Sequence, residues 1–172
     1  MTAPSGAPRA LAQALLAAEQ LARAMAYAGV ALLGAGVLVL MADIAGRKTV
    51  GVSVLGTIDL TQLAVMGCVF LAMPLAFLRG AHVGVEFLTD WLPPRALALL
   101  EVAVGVLSAA FVGALAWYGA AQARLAWVQG DRSATLGLPM ILYWAPLVAG
   151  LGASAAAALL VALRAAVRAR GA

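Results

Sequence analysis

AMAYAGVALLGAGVLVLMA, residues 24–42, decides the fold, because no charge interrupts it between Arg23 and Asp43. A helix needs about 20 apolar residues to cross a hydrocarbon core of roughly 30 Å. Working outward, LTQLAVMGCVFLAMPLAFL (residues 60–78) is a second such window between Asp59 and Arg79. A third runs from Val102 to Ala123, and a fourth from Ser133 to Leu163, apolar from Leu138 onwards. The whole chain follows suit, with 65% hydrophobic residues, 10% charged residues and a mean hydropathy of +1.03. A soluble domain carries roughly 25% charged residues, so lipid must be part of this chain's solvent. A β-barrel would need short alternating segments, which the sequence lacks. The first window is too long for a signal peptide and ends without a cleavage pattern. The expectation is an all-α integral membrane protein with four transmembrane helices, over about 24–42, 58–78, 96–122 and 138–163.

Four spans place both ends on one side. That side holds Arg9, Arg23, Arg79, Arg95, Arg164, Arg168 and Arg170, against Arg47, Lys48, Arg124 and Arg132 on the other. Positive charge collects in the cytoplasm, so both termini are expected there. Residues 1–23 then form a cytoplasmic segment, 24–163 the membrane domain and 164–172 a basic tail. The basic residues flank apolar spans instead of forming a stripe, which argues for a bilayer and against nucleic acid as partner.

Two segments outside the spans have helical order. Arg9, Gln13, Glu19, Gln20 and Arg23 share one arc of a wheel, while Leu11, Ala14, Leu15, Ala18, Leu21 and Ala22 share the other. Such an amphipathic helix either lies on the membrane or extends the first span. In the loop after the second span, His82, Glu86 and Asp90 recur at four-residue spacing, with Val83, Phe87 and Trp91 one residue later. A short interfacial helix fits, ended by Pro93-Pro94. Trp117, Tyr118, Trp127, Tyr143 and Trp144 mark the opposite interface.

Polar residues near the spans do not assemble a reaction centre. Asp59 opens the second span, with Gln62 three residues on and expected on the same face; Glu101 lies two turns into the third. Both acids are near span ends, where contact with a partner helix or the interface is the simpler reading and ion carriage the alternative. Cys68 and His82 are the sole cysteine and histidine, so paired-thiol chemistry, bis-histidine haem and a histidine metal cluster have no ligand set. Neither catalytic residues nor a cofactor site is expected. Pro74 and Pro146 interrupt the second and fourth spans, releasing the carbonyls of Phe70 and Leu142. Gly150, Ser154, Ala158 and Ala162 form a small-residue row, for packing within the bundle or against another subunit.

The loops carry a family resemblance. Asp43-Ile-Ala-Gly-Arg47 follows the first span, and Gly56-Thr-Ile-Asp59 opens the second. Arg79-Gly-Ala-His82-Val83-Gly-Val85-Glu86 comes next, then Gly130-Asp-Arg-Ser133-Ala-Thr-Leu136-Gly-Leu-Pro139, with Tyr143 and Pro146 behind it. Over about residues 24–163 this order resembles the small, Q-type membrane subunit of TRAP (tripartite ATP-independent periplasmic) transporters. Two acids depart from that pattern, Asp59 standing where Glu is frequent and Glu86 where Asp is. The resemblance implies a large membrane subunit as partner, carrying the substrate and sodium sites and moving as an elevator. It also implies a periplasmic substrate-binding protein that delivers an organic acid. This chain would be the non-catalytic scaffold, with sodium coupling belonging to the complex. Arg47, Asp59, His82, Glu86, Glu101, Ser133, Pro139, Tyr143 and Pro146 are the candidate interface or structural residues. Arg47 and Asp59 flank one loop and could pair with each other or with the large subunit. Two other readings stand beside this one: the small subunit of a tripartite tricarboxylate transporter, and a self-sufficient channel or membrane enzyme using Asp59 or Glu101.

Overall fold

A computed structural model describes residues 9–79 and 94–171. Among them are four long helices and no strand beyond an isolated bridge between Arg132 and Pro139. They are α1 (Arg9–Thr49), α2 (Thr57–Leu78), α3 (Pro94–Gln129) and α4 (Ile141–Gly171). All four are long and apolar enough to cross a membrane. Large apolar side chains such as Leu38, Leu107 and Phe111 are exposed on the bundle surface, as a lipid solvent requires.

Residues 9–22 continue into the first span with no break, so α1 is one helix of 41 residues. At about 1.5 Å per residue it is roughly 61 Å long, about twice the hydrocarbon thickness. The separate amphipathic helix is therefore absent, and an exposed Glu19–Arg23 ion pair of 2.6 Å spans one turn of the extension. The interfacial helix expected around His82 and Glu86 lies outside the described residues.

The helices form two antiparallel hairpins, α1–α2 and α3–α4, joined by contact of α2 with α4. Small residues set each approach. Along α1 the buried positions are Ala22, Gly29, Gly36 and Asp43, a strict seven-residue repeat that keeps one seam on a supercoiled neighbour. A Cβ on Gly36 would come 2.5 Å from that of Ala64, and one on Gly29 3.1 Å from the Cα of Cys68. On α4 the row from Gly150 to Ala162 serves the bundle itself. Ser154, Ala158 and Ala162 are buried, and Ala162 packs on Gly105 of α3.

The two prolines act differently. Pro74 is fully buried, and the Phe70 carbonyl it leaves without an intrahelical donor faces Gly150 of α4. A side chain there would overlap that carbonyl group. The Ser154 hydroxyl donates to the Gly150 carbonyl at 2.7 Å, so the crossing buries a serine without leaving it unpaired. Pro146 stands in the second turn of α4, which begins at Ile141 instead of Leu138 because residues 138–140 belong to the loop before it.

The crossing predicts a contrast between two glycines of α4. Gly150→Ala overpacks the Phe70 contact and is expected to cost about 1–3 kcal/mol. Gly152→Ala meets nothing within 4 Å and should leave stability unchanged. Thermal unfolding of the two variants in detergent checks this, with only Gly150→Ala expected to melt earlier.

Candidate functional site

At the end of the bundle away from the termini, two carboxylates are buried and each ties down a loop. Asp43 is 3% exposed and Asp59 5% exposed. A carboxylate out of water needs several donors or a cation, and the two acids meet that need differently.

Asp43 closes the α1–α2 connection. Its Oδ1 accepts from the Val54 N–H at 2.7 Å and the Ser53 hydroxyl at 3.0 Å. Its Oδ2 pairs with the Arg47 guanidinium one turn on, also at 2.7 Å. Arg47 and Lys48 occupy the last turn of α1, where cations complement the helix C-terminus. Thr57 donates its hydroxyl to the Val54 carbonyl at 2.9 Å. Gly56 lies within that turn at φ 82, a left-handed conformation that glycine adopts without strain.

Asp59 ties the two hairpins together. Its Oδ2 accepts from the Ser133 hydroxyl at 2.7 Å, the Leu136 N–H at 2.8 Å and the Thr135 N–H at 3.2 Å. Its backbone carbonyl accepts from the Tyr143 hydroxyl at 3.1 Å. These partners, 74 to 84 residues away in sequence, are all neutral. They give a carboxylate that is held, with its Oδ2 in use on the loop.

The loop that supplies the donors is itself closed. α3 ends at Gly130 in a left-handed turn (φ 69), with Gly130 N–H bonded to Trp127 and Asp131 N–H to Ala126. This two-bond helix stop satisfies the last carbonyls of α3. The Asp131 carbonyl accepts from Met140 N–H at 3.0 Å, and the Leu138 carbonyl from Ser133 N–H at 2.8 Å. The Ser133 hydroxyl also accepts from Leu138 N–H at 3.0 Å, and Arg132 reaches the Gly137 carbonyl at 3.1 Å. Leu136 lays its side chain over Gly56, where any Cβ would collide with it.

The structure brings together Asp59, Ser133 and Tyr143, with Pro139 in the same loop and Pro146 one turn beyond. Arg47 is separate from them, for it bonds Asp43 and not Asp59. Gln62 does not share the face of Asp59: it is exposed while Asp59 is buried. Glu101 is half-buried in α3, near the opposite end, one turn before the Gly105–Ala162 contact. His82 and Glu86 lie outside the described residues. Sequence reasoning left Asp43, Ser53, Thr135 and Leu136 out of the candidate residues, although Asp43, Thr135 and Leu136 stand in the quoted loop strings. Asp43 had a further signal, as the next member of the Ala22, Gly29, Gly36 repeat. No group of three His, Cys, Asp or Glu able to hold a metal occurs among the described residues.

Four membrane-crossing helices capped by a hydrogen-bonded loop knot define a multi-pass membrane protein. Residues 36–169 match the family model described as "Tripartite ATP-independent periplasmic transporters, DctQ component". The chain therefore belongs to that family, as the small membrane component of a transporter. Membership agrees with the loop resemblance and decides against the tripartite tricarboxylate transporter reading. No curated protein sequence and no solved structure matches the chain.

The knot predicts a local response to mutation. Asp59→Ala leaves the Ser133 hydroxyl and two backbone N–H groups without their acceptor. Hydrogen exchange at Leu136 and Leu138 should accelerate by on the order of tenfold or more. Asp59→Asn, which keeps one acceptor oxygen but loses the charge, should fall between. Exchange read by mass spectrometry in detergent or nanodiscs checks both variants.

Proposed function

We propose that this chain is the fixed, non-catalytic scaffold of a TRAP-type transporter, holding a large elevator-type membrane subunit during ion-driven uptake. The solute is an organic acid handed over by a periplasmic binding protein, and the substrate and sodium sites belong to the large subunit. The observation that carries this reading is the use made of Asp59. A carboxylate that carried an ion or proton would need freedom to exchange partners, whereas Asp59 is committed to three donors that hold the two hairpins together. A moving element needs a stationary one to move against, and bundles pinned by such a knot are suited to that part. The same commitment counts against a self-sufficient channel or enzyme built on Asp59.

Both termini lie in the cytoplasm on this reading. The loops bearing Arg47, Lys48, Arg124 and Arg132 then face the periplasm, while seven arginines lie on the cytoplasmic side. The Asp43 and Asp59 knots are at the periplasmic end.

Purification of the tagged chain from native membranes is expected to bring down a much larger polytopic protein. Arg47→Ala removes the counter-charge of Asp43 and loosens the 50–56 loop. It should lower the yield of that complex more than it alters the affinity for solute. A normal complex with altered selectivity would overturn the scaffold assignment.

A further inference from the structure

Trp117, Ala120, Ala121 and Arg124 of α3 follow one another at i, i+3, i+4 and i+7, the spacing of a single helical stripe. All four are exposed, Trp117 by 76%. α3 packs on α4 and makes no comparable contact with α1 or α2, so the stripe looks outward from the bundle. The two alanines leave a notch between the indole and the guanidinium, whose Cα atoms are about 10.5 Å apart along the axis. Helical side chains lean toward the N-terminus of their helix, which tips Arg124 back over the notch. Below Trp117 the stripe continues through Ala110 and Val106, both exposed and apolar. From Trp117 to Val106 is about 16 Å, half the thickness of a hydrocarbon core.

The charge on Arg124 is uncommitted. At the same end of the bundle, Arg47 is paired with Asp43 and Arg132 reaches the Gly137 carbonyl. Arg124 has no ion pair among the described residues. Lys48 is exposed as well, but its stripe on α1 runs down through Ile44, Met41 and Val37 without an aromatic ring. On α3 the order is cation, amphipathic ring, apolar run. One leaflet has the matching order of phosphate, ester and acyl chain. A partner helix imposes no such order. A second copy in the same membrane orientation would set Arg124 against Arg124, with no acid on either stripe.

We infer that the notch between Trp117 and Arg124 is a phospholipid site, with the guanidinium on the headgroup phosphate and the acyl chain along Ala110 and Val106. The site prefers anionic lipid, because no acid on the stripe offsets the cation. The inference depends on the membrane placement of α3 and not on the scaffold reading.

The test places a photo-crosslinking residue at Ala121 of the full chain. Adducts are read by mass spectrometry in native membranes and in vesicles of equal dioleoylphosphatidylglycerol and dioleoylphosphatidylcholine. In the vesicles, phosphatidylglycerol adducts should exceed phosphatidylcholine adducts about fivefold, the worth of one basic residue at an anionic surface. Arg124→Gln should bring the two adducts close to equality, while Arg124→Lys keeps the preference. Arg9→Gln, at the other end of the bundle, should change nothing. In native membranes Ala121 should link to phospholipid. Equal adducts with Arg124 intact, a preference that survives Arg124→Gln, or a native crosslink to a protein would each overturn the inference. A crosslink to the large subunit would do so while supporting the scaffold reading, so the two fail separately. Because the adduct ratio is read with Arg124 intact, poor folding of Arg124→Gln does not spare the inference.

Discussion

The carboxylate of Asp59 is the constraint on which the arrangement of the two hairpins depends. Each hairpin is held internally by its own helix seam, but a four-helix protein also needs the hairpins fixed to one another. Asp59 does this at the loop end, where its side chain takes three donors from the 133–136 segment and its carbonyl takes Tyr143. Neutral donors suit the position. A buried carboxylate bonded to several N–H and O–H groups is satisfied without recruiting a cation from the surface. Asp43 makes the complementary arrangement within the first hairpin, using Arg47 together with Ser53 and Val54.

Below the knot, the bundle is assembled by close approach instead of by bulky packing. Lipid tails are as apolar as leucine, so exclusion from water does not drive helices together inside a bilayer. Contact area and small residues must do so. The Gly29/Gly36 seam of α1, the Gly105–Ala162 contact and the seating of Gly150 on the Phe70 carbonyl are three instances. The last joins a proline effect to a glycine effect: Pro74 strips a donor from Phe70, and only a glycine on α4 can come near enough to cover the exposed carbonyl.

The spans were legible because charge is excluded from hydrocarbon by a large energy, which writes itself into sequence as uninterrupted windows. The small-residue row of α4 and the proline-freed carbonyl of Phe70 were legible for the same reason of strong local chemistry. The partners of Asp59 were not. They lie more than 70 residues away, and two of them are backbone N–H groups, which leave no residue-type signature. Ser133 was marked only through the loop strings of the resemblance and Tyr143 otherwise only as an interface aromatic, and the Asp43–Arg47 pair was overlooked although an i, i+4 acid–base spacing was in plain view. The start of α1 was left open between two readings, and the structure has the one that extends the span. An amphipathic segment continuous with a span can remain helical past the membrane, and its hydrophobic face packs on the bundle. Ala18, Leu21 and Ala22 line a small cleft with Pro74 and Leu160 there.

Membership of the DctQ family and a bundle locked by hydrogen bonds to two buried aspartates describe a transporter component with a firm architecture. The central claim is that transport needs this chain as a fixed support although the solute does not pass through it. Solute uptake by proteoliposomes containing the large subunit and its binding protein, with and without this chain, tests that claim most directly. The account predicts no uptake without the chain and restored uptake when it is added back. Undiminished uptake in its absence would contradict it.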